Sequence, residues 1–187
     1  MTHDTKPVVK INVFVNDQDI RAINKYVKDC DTSKKIKNAS IGAKTDNYLF
    51  HRDLIFTHCH YKNKEELIKS LGNILEEKGY IKKSFIQSAI SREEITSTAV
   101  GRGVAIPHGQ EKHIHIPVIA VVILDTPIDW SGNQVDIVFL LALQFENGQD
   151  TRNFFKKFYS LLDSEEKLKE IRNTLNSEQL FQLLIEI

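Results

Sequence analysis

Two apolar runs in the second half of the chain constrain its fold more than any other feature. Val118–Leu124 and Val135–Leu143 are nearly continuous in apolar residues and rich in β-branched side chains. A strand with one wet face alternates apolar and polar residues, so unbroken runs of this kind are typical of strands covered on both faces. The sequence therefore predicts a central sheet that is buried from both sides.

Helical patterns lie before these runs. Asn63 is a predicted N-cap with Glu66 in the capping-box position. Gly79 is expected to stop this helix, and a second, shorter helix is predicted from about Ser84 to Ser91. The buried stripe of the first helix is predicted to be Leu67, Leu71, Ile74 and Leu75.

Three more helices are predicted after the apolar runs, and Ser164 and Ser177 are the expected N-caps of the last two. Helices before and after a set of buried strands imply helices on both faces of the sheet. The predicted fold class is therefore α/β, with a mixed central sheet and helices packed on both faces. The first of the three helices is marked by Phe154, Phe155, Phe158, Leu161 and Leu162.

Residues 1–47 are predicted to be an N-terminal linker or extension, and residues 48–187 the main domain. Val8–Val15 has the composition of a strand, and Asn16 or Asp17 can cap a helix after it. Residues 31–46 are rich in Lys, Ser, Asn and Thr, as in a linker or an exposed loop.

Composition excludes several classes of function. The 25 basic and 25 acidic residues leave no net charge, so we expect no direct nucleic-acid contact by this chain. No apolar run approaches the ~20 residues that span a membrane, and the polar N-terminus leads into no signal-like segment. The two cysteines, Cys30 and Cys59, fit a reducing compartment. We expect a cytoplasmic location without membrane insertion.

One histidine stands where a reactive side chain would be held stiffly. His108 lies between Pro107 and Gly109, at the end of a short strand predicted over 104–106. Pro107 fixes its own φ, while Gly109 permits a close backbone approach or a positive φ. Neutral imidazole is a nucleophile near neutral pH, and its bond to phosphorus stays labile enough to pass the group on. The pattern makes His108 a candidate phosphoryl acceptor.

Polar residues upstream can support that chemistry. The guanidinium of Arg92 can bind phosphoryl oxygens through two N–H groups. Ser97, Thr98 and the N–H of Gly109 are further candidate donors. Simpler readings remain open at this point: Arg92 can complement a helix dipole, and His108 can be an ordinary loop histidine.

A histidine pair upstream resembles a metal site on paper. His58 and His60 would point to one face of a strand and can share a metal, whereas Cys59 would point to the other face. No fourth ligand is evident in the sequence. We therefore expect no metal site here.

The motifs around His108, taken in order, resemble the signature of a known family. Arg92-Glu93, Ser97-Thr98 and Gly101-Arg-Gly-Val-Ala-Ile-Pro-His108-Gly109 are similar to the type 2 enzyme IIA domain of the bacterial sugar phosphotransferase system, in its mannitol/fructose class. The resemblance extends from about Tyr48 to Ile187, and it includes the phrase Pro127-Ile-Asp-Trp-Ser-Gly132 before the second apolar run.

The resemblance implies a mechanism. The family histidine, at His108 here, takes a phosphoryl group from the phosphocarrier HPr and passes it to a cysteine of an enzyme IIB domain. Arg92 matches the family arginine near the site, and no metal or organic cofactor is implied. The family commonly has a second histidine at the start of the helix after the last long strand. Thr151 aligns with that position, a departure that sensory versions of the domain tolerate more easily than transport versions.

The N-terminal run Pro7–Ile20 carries a second resemblance. It is similar to the stretch that joins an enzyme IIB-like domain to a C-terminal enzyme IIA-like domain in sugar-responsive transcription regulators with phosphotransferase regulation domains. We therefore expect the chain to be the C-terminal part of such a regulator, with the upstream domains as partners. There are two alternatives. One is a free-standing enzyme IIA phosphocarrier, which would be a transferase that serves a sugar transporter. The other is an interaction module of the same fold that is not phosphorylated.

Overall fold

The sheet predicted from the two apolar runs is the centre of the fold. A computed structural model describes residues 49–145 and 148–185, and within them one mixed sheet has the strand order β1-β4-β5-β3-β2. β1 pairs with β4 and β3 with β5 in parallel, whereas β4 with β5 and β2 with β3 are antiparallel. The strands are β1 (Phe50–Cys59), β2 (Ala99–Gly101), β3 (Val104–Ala105), β4 (Val118–Trp130) and β5 (Asn133–Ala142).

Helices precede and follow the long strands. In the described residues they are α1 (Lys64–Glu77), α2 (Lys83–Ile95), α3 (Gly148–Asp163), α4 (Glu165–Arg172) and α5 (Ser177–Leu184). A single turn of 3₁₀-helix, Glu111–His113, lies between β3 and β4.

Alternate residues of β4 face two separate layers of the core. Val118, Ala120 and Val122 pack with α1 and α2 on one face of the sheet. Ile119 and Val121 pack with α3, α4 and α5 on the other. Since every position of this stretch meets a covered face, the apolar run has no polar alternation. The predicted α/β class with helices on both faces is confirmed.

β4 continues beyond its apolar run. Asp125–Pro127 is exposed and lies at an irregularity in the pairing with β5 between Ile123 and Ile128. Ser131 and Gly132, with φ of 55° and 86°, then form the two-residue turn into β5. The single tryptophan, Trp130, ends β4 and is fully buried. Among the described residues its indole N–H has no hydrogen-bond acceptor.

Two of the predicted helix caps are present in the structure. Asn63 caps α1 as predicted, since its side-chain oxygen accepts from the Glu66 N–H at 2.9 Å. Ser164 likewise accepts from the Lys167 N–H and caps α4.

The cap predicted for the last helix is wrong by one residue. Asn176 caps α5 by accepting from the Gln179 N–H at 3.0 Å, and Ser177 is the first helical residue. Asn and Ser are equally good caps, so an adjacent pair leaves the boundary undecided until packing selects one of them.

α2 is longer than predicted and positions part of the site. The apolar pattern ends near Ser91, but the helix continues to Ile95, so that Arg92 lies in its last turn. The predicted N-terminal elements, including Val8–Val15, and also Cys30, lie outside the described residues. Over the described ranges, no helix combines the length and the apolar character needed to cross a membrane.

Candidate functional site

His108 is held at the edge of the central sheet by backbone pairing. The chain leaves β3 at Ala105, and the Pro107 carbonyl accepts a hydrogen bond from the Leu141 N–H of β5 at 2.9 Å. His108 itself forms a parallel bridge with Leu141. The backbone of His108 is therefore fixed beside the carboxyl end of a buried strand, and His108 remains partly exposed.

The ring of His108 has a defined hydrogen-bond pattern. Nδ1 lies 3.1 Å from the Ile106 carbonyl oxygen, which can only accept, so Nδ1–H is the donor. In the neutral ring the remaining nitrogen, Nε2, then has the free lone pair. The geometry makes Nε2 the nucleophilic atom of this side chain.

The surroundings of His108 favour its neutral form. Burial is the largest cause that lowers its pKa below the ordinary 6.5, and the positive charge of Arg92 lowers the pKa further. The hydrogen bond to Ile106 and the negative charge of Glu93 oppose this shift. The net direction is downward, which keeps the imidazole available as a nucleophile near neutral pH.

Arg92 lies at the C-terminal end of α2, near His108. It lies in the last turn of α2, where a cation complements the helix dipole, and its Nη1 donates to the Thr96 carbonyl at 2.7 Å. Its guanidinium is half-buried, and this burial lowers its pKa. Its charge also acts on His108, so the structure brings these two predicted residues together.

Ser97 and Thr98 hold the backbone between α2 and β2. The Ser97 hydroxyl donates to the Trp130 carbonyl at 3.4 Å and accepts from the Ala99 N–H at 3.2 Å. Thr98 is only 3% exposed, and both its N–H and its hydroxyl donate to the Glu93 carboxylate. Thr98 therefore lies beneath the surface, with both of its donors bound to Glu93.

Gly109 allows the loop after His108 to lie directly against α2. A Cβ at this position would come within 2.7 Å of Ser88 Oγ and 2.8 Å of a Phe85 ring carbon. Ser88 Oγ also accepts from the Gln110 N–H at 3.0 Å. Of the two uses of glycine foreseen in the sequence, the close approach applies here, since Gly109 is not among the residues with positive φ.

Thr151 lies near the start of α3, the helix that follows the strand beside His108. It is 1% exposed. Thr151, the residue that the sequence analysis expects at the place of the second family histidine, is thus a small hydroxyl side chain inside the fold. A hydroxyl can donate and accept hydrogen bonds, but unlike imidazole it does not take up a proton near neutral pH.

Glu93 is a residue of the site that the sequence analysis did not assign. It is 3% exposed and accepts hydrogen bonds from Thr98 and from Lys64 Nζ, the latter at 3.2 Å. A charged residue at the end of a helix is normally solvated, so its type gave no signal. The spacing of Glu93 does indicate burial, because it lies four residues after Ala89 and three after Ile90, on the buried face of α2.

His58, near the end of β1, and His60, just after this strand, both lie beside the Asp125 carboxylate. His58 Nδ1 lies 2.8 Å from one oxygen of Asp125, and His60 Nε2 lies 3.1 Å from the other. His58 has φ of 59°, and its hydrogen bond with Asp125 raises its pKa. Across residues 49–145 and 148–185, no group of three or more His, Cys, Asp or Glu side chains is arranged to hold a metal ion.

Comparison with known proteins identifies the family. Residues 48–187 match the family described as the phosphoenolpyruvate-dependent sugar phosphotransferase system, EIIA 2. The chain belongs to this family. The resemblance seen in the sequence motifs is thereby confirmed.

Relatives of this EIIA 2 chain include both regulators and transport components. It is 25% identical over 172 residues to the transcriptional regulator ManR of Bacillus subtilis, an alignment that covers 92% of this chain and 26% of that protein. The chain thus spans about a quarter of the regulator's length. It is 31% identical over 130 residues to a mannitol-specific phosphotransferase enzyme IIA component of Halalkalibacterium halodurans, which covers 67% of this chain and 87% of that protein.

Solved structures share the fold of the EIIA 2 domain. One is the enzyme IIA in a complex of mannitol enzyme IIA and phosphorylated enzyme IIB from Escherichia coli. It has a TM-score of 0.63 and 20% identity, and it covers 74% of this chain and 100% of the other. At this identity the likeness establishes a common architecture.

Proposed function

We propose that the chain is a cytoplasmic phosphoryl carrier that accepts a phosphoryl group from HPr on Nε2 of His108. The observation that carries this proposal is the hydrogen bond from Nδ1–H to the Ile106 carbonyl, which leaves the Nε2 lone pair available. This lone pair forms the bond to phosphorus, while the bond from phosphorus to the donor breaks and its electron pair leaves with the donor. Transfer onward to a cysteine of an enzyme IIB domain follows the same course.

Several neighbours are proposed to support the phosphoryl group. The Arg92 guanidinium offsets its charge, and the N–H of Gly109 is a candidate donor. The Ser97 hydroxyl is a further candidate, once its proton turns from the Trp130 carbonyl to a phosphoryl oxygen. Thr98 contributes through Glu93, to which both of its donors are bound. Thr151 is proposed to occupy the place of the second family histidine, without the capacity of imidazole to exchange protons.

The carrier is proposed to act within a sugar-responsive transcription regulator. Residues 1–47 would lead from upstream domains into the phosphorylated domain, 48–187, whose state alters an attached DNA-binding or antitermination module. The supporting observation is the extent of similarity: the alignment with ManR covers 92% of the chain, whereas that with the mannitol component covers 67%. A threonine at 151 also fits a sensor, in which rapid turnover is not required.

A role in sugar transport is the second candidate. It is favoured by the 31% identity to a mannitol enzyme IIA component and by the 87% of that component that aligns. A transport component would phosphorylate a separate enzyme IIB at the rate of sugar uptake. Measured transfer to an enzyme IIB cysteine at rates like those of an authentic enzyme IIA favours this candidate over the regulator.

Phosphorylation is tested with phosphoenolpyruvate, enzyme I and HPr. We expect the chain to acquire an acid-labile phosphate, His108→Gln to acquire none, and His115→Gln, a change at an exposed histidine, to behave as the wild type. Ring ¹⁵N spectra should place the phosphate on Nε2. If an authentic enzyme IIA is labelled in parallel and this chain is not, the carrier proposal fails and an unphosphorylated interaction module remains.

A further inference from the structure

Glu93 is a buried carboxylate whose neighbours indicate a specific task. Lys64 Nζ lies 3.2 Å from Oε1, and the Thr98 N–H donates to both carboxylate oxygens at 3.2 and 3.1 Å. The Thr98 hydroxyl adds a bond to Oε2. Lys64, which is largely buried itself, also donates to Ser131 Oγ. Four donor contacts thus converge on one carboxylate, which is what burial of this charge requires.

Two further hydrogen bonds connect Thr98 to the ring of His108. The Thr98 carbonyl accepts from the Ile106 N–H at 3.1 Å, and the Ile106 carbonyl accepts from His108 Nδ1–H at 3.1 Å. One uninterrupted series therefore runs from the Lys64 ammonium through Glu93, Thr98 and Ile106 to His108. It ends on the ring nitrogen that must stay protonated for Nε2 to be the nucleophile.

We propose that Glu93, with Lys64 as its counter-ion, is a positioning residue for His108. Glu93 fixes Thr98, Thr98 fixes Ile106, and the Ile106 carbonyl sets the tautomer and orientation of the imidazole. The consequence for phosphoryl transfer rests on the proposed function, whereas the effect on the ring does not. The Glu93 side chain is 2% exposed, so its substitution acts on the ring and not on the docking of a partner protein, whereas Lys64 is partly exposed.

The sharpest variant is Glu93→Gln, which keeps the size of the side chain. A glutamine turns one acceptor into an NH₂ group, and that group must face Lys64 or Thr98, both of which are donors. Lys64→Gln removes the counter-ion from the other side. The matched controls are Glu94→Gln, at the exposed neighbour on α2, and Lys69→Gln, at an exposed position on α1.

The first measurement is the tautomer of His108, from long-range ¹H–¹⁵N spectra of the full chain at neutral pH. We expect the Nδ1–H form in the wild type and both controls, and a mixture of the two tautomers in Glu93→Gln and Lys64→Gln. A single Nδ1–H form in Glu93→Gln overturns the proposal. This readout needs no phosphate donor, so it still decides the point if the chain proves not to be phosphorylated.

The second measurement is single-turnover transfer from phosphorylated HPr at several HPr concentrations. We expect the maximal rate of Glu93→Gln to fall roughly 10- to 100-fold because the nucleophile is misplaced, with little change in the half-saturating concentration. A loss confined to the half-saturating concentration contradicts a positioning role. Should circular dichroism show that Glu93→Gln is unfolded, Thr98→Val removes one donor while retaining the Glu93–Lys64 pair, and the same change in tautomer is expected.

Discussion

At the scale of a single residue, the chemistry of His108 depends on how readily its ring loses a proton. Burial and the charge of Arg92 lower its pKa in the folded chain below 6.5, the value expected when unfolded. The unfolded chain therefore binds more protons than the folded chain once the pH falls below about 6.5. Above that pH, the titration of His108 does not change the free energy of unfolding. As the pH falls toward the lower pKa of the folded chain, the titration of His108 lowers this free energy.

We expect an NMR titration of the His108 ring to give a pKa below 6.5, and Arg92→Met to raise that pKa because a nearby positive charge is removed. Arg52→Met is the control, since the Arg52 guanidinium is paired with Glu178 on α5. A wild-type pKa at or above 6.5 would contradict the description of the site. An equal shift in both variants would show that Arg92 has no particular influence.

At the scale of an element, the loop after His108 depends on its contact with α2. In Gly109→Ala the new methyl group would lie under 3 Å from Ser88 Oγ and from the Phe85 ring, so the loop or the helix must move. Overpacking of this kind costs about 1–3 kcal/mol of unfolding free energy, and we expect phosphate uptake to fall as well. Urea unfolding measures the first effect. The control is Gln110→Ala, whose side chain is exposed; a loss of stability as large in this variant would refute the argument.

The spacing of apolar residues predicts most of the helices and strands. It fails where a polar residue is buried in the core or where exposed residues interrupt a strand. The apolar pattern predicts an end of α2 near Ser91, but the helix runs to Ile95, because Glu93 continues the buried stripe without being apolar. The apolar run predicts only Val118–Leu124 of β4, because the exposed residues Asp125–Pro127 follow it, at an irregularity in the pairing with β5.

The sequence predicts some residues of the candidate site but not the buried carboxylate beneath it. His108 and Arg92 are placed by local motifs, and they do lie within electrostatic reach of each other. Thr98 faces inward and donates to Glu93, and Glu93 in turn accepts from Lys64 of a different helix. Such a partnership exists only once α1 and α2 have packed, so neither residue alone signals it.

At the scale of the whole molecule, an ion pair joins the C-terminal helices to the sheet. Arg172 of α4 donates from Nε and Nη2 to the two oxygens of Asp136 on β5, at 2.7 and 2.8 Å. Its Nη2 also donates to the Arg102 carbonyl, in the turn between β2 and β3. Gly103 of that turn has φ of 77°, and a Cβ there would lie 2.6 Å from Arg172 Nη2. Helix, strand and turn therefore meet at one guanidinium.

We expect Arg172→Met to lower the free energy of unfolding by about 1–3 kcal/mol, because it leaves a half-buried carboxylate and a carbonyl without their donor. Chemical denaturation of Arg172→Met, Asp136→Asn and the double variant isolates the pair. Lys169→Met, at an exposed position of the same helix, is the control. Additive effects of the two single changes would show that the pair is not coupled.

The burial of Trp130 gives the protein a built-in optical probe. This is the only tryptophan of the chain, and it lies at the end of β4, where its carbonyl accepts from the Ser97 hydroxyl. An indole shielded from water emits at shorter wavelength than one in solvent, so unfolding should shift the fluorescence of the native protein to the red without any attached dye. Since Ser97 precedes Thr98, the same emission is suited to reporting changes in the segment that supports His108.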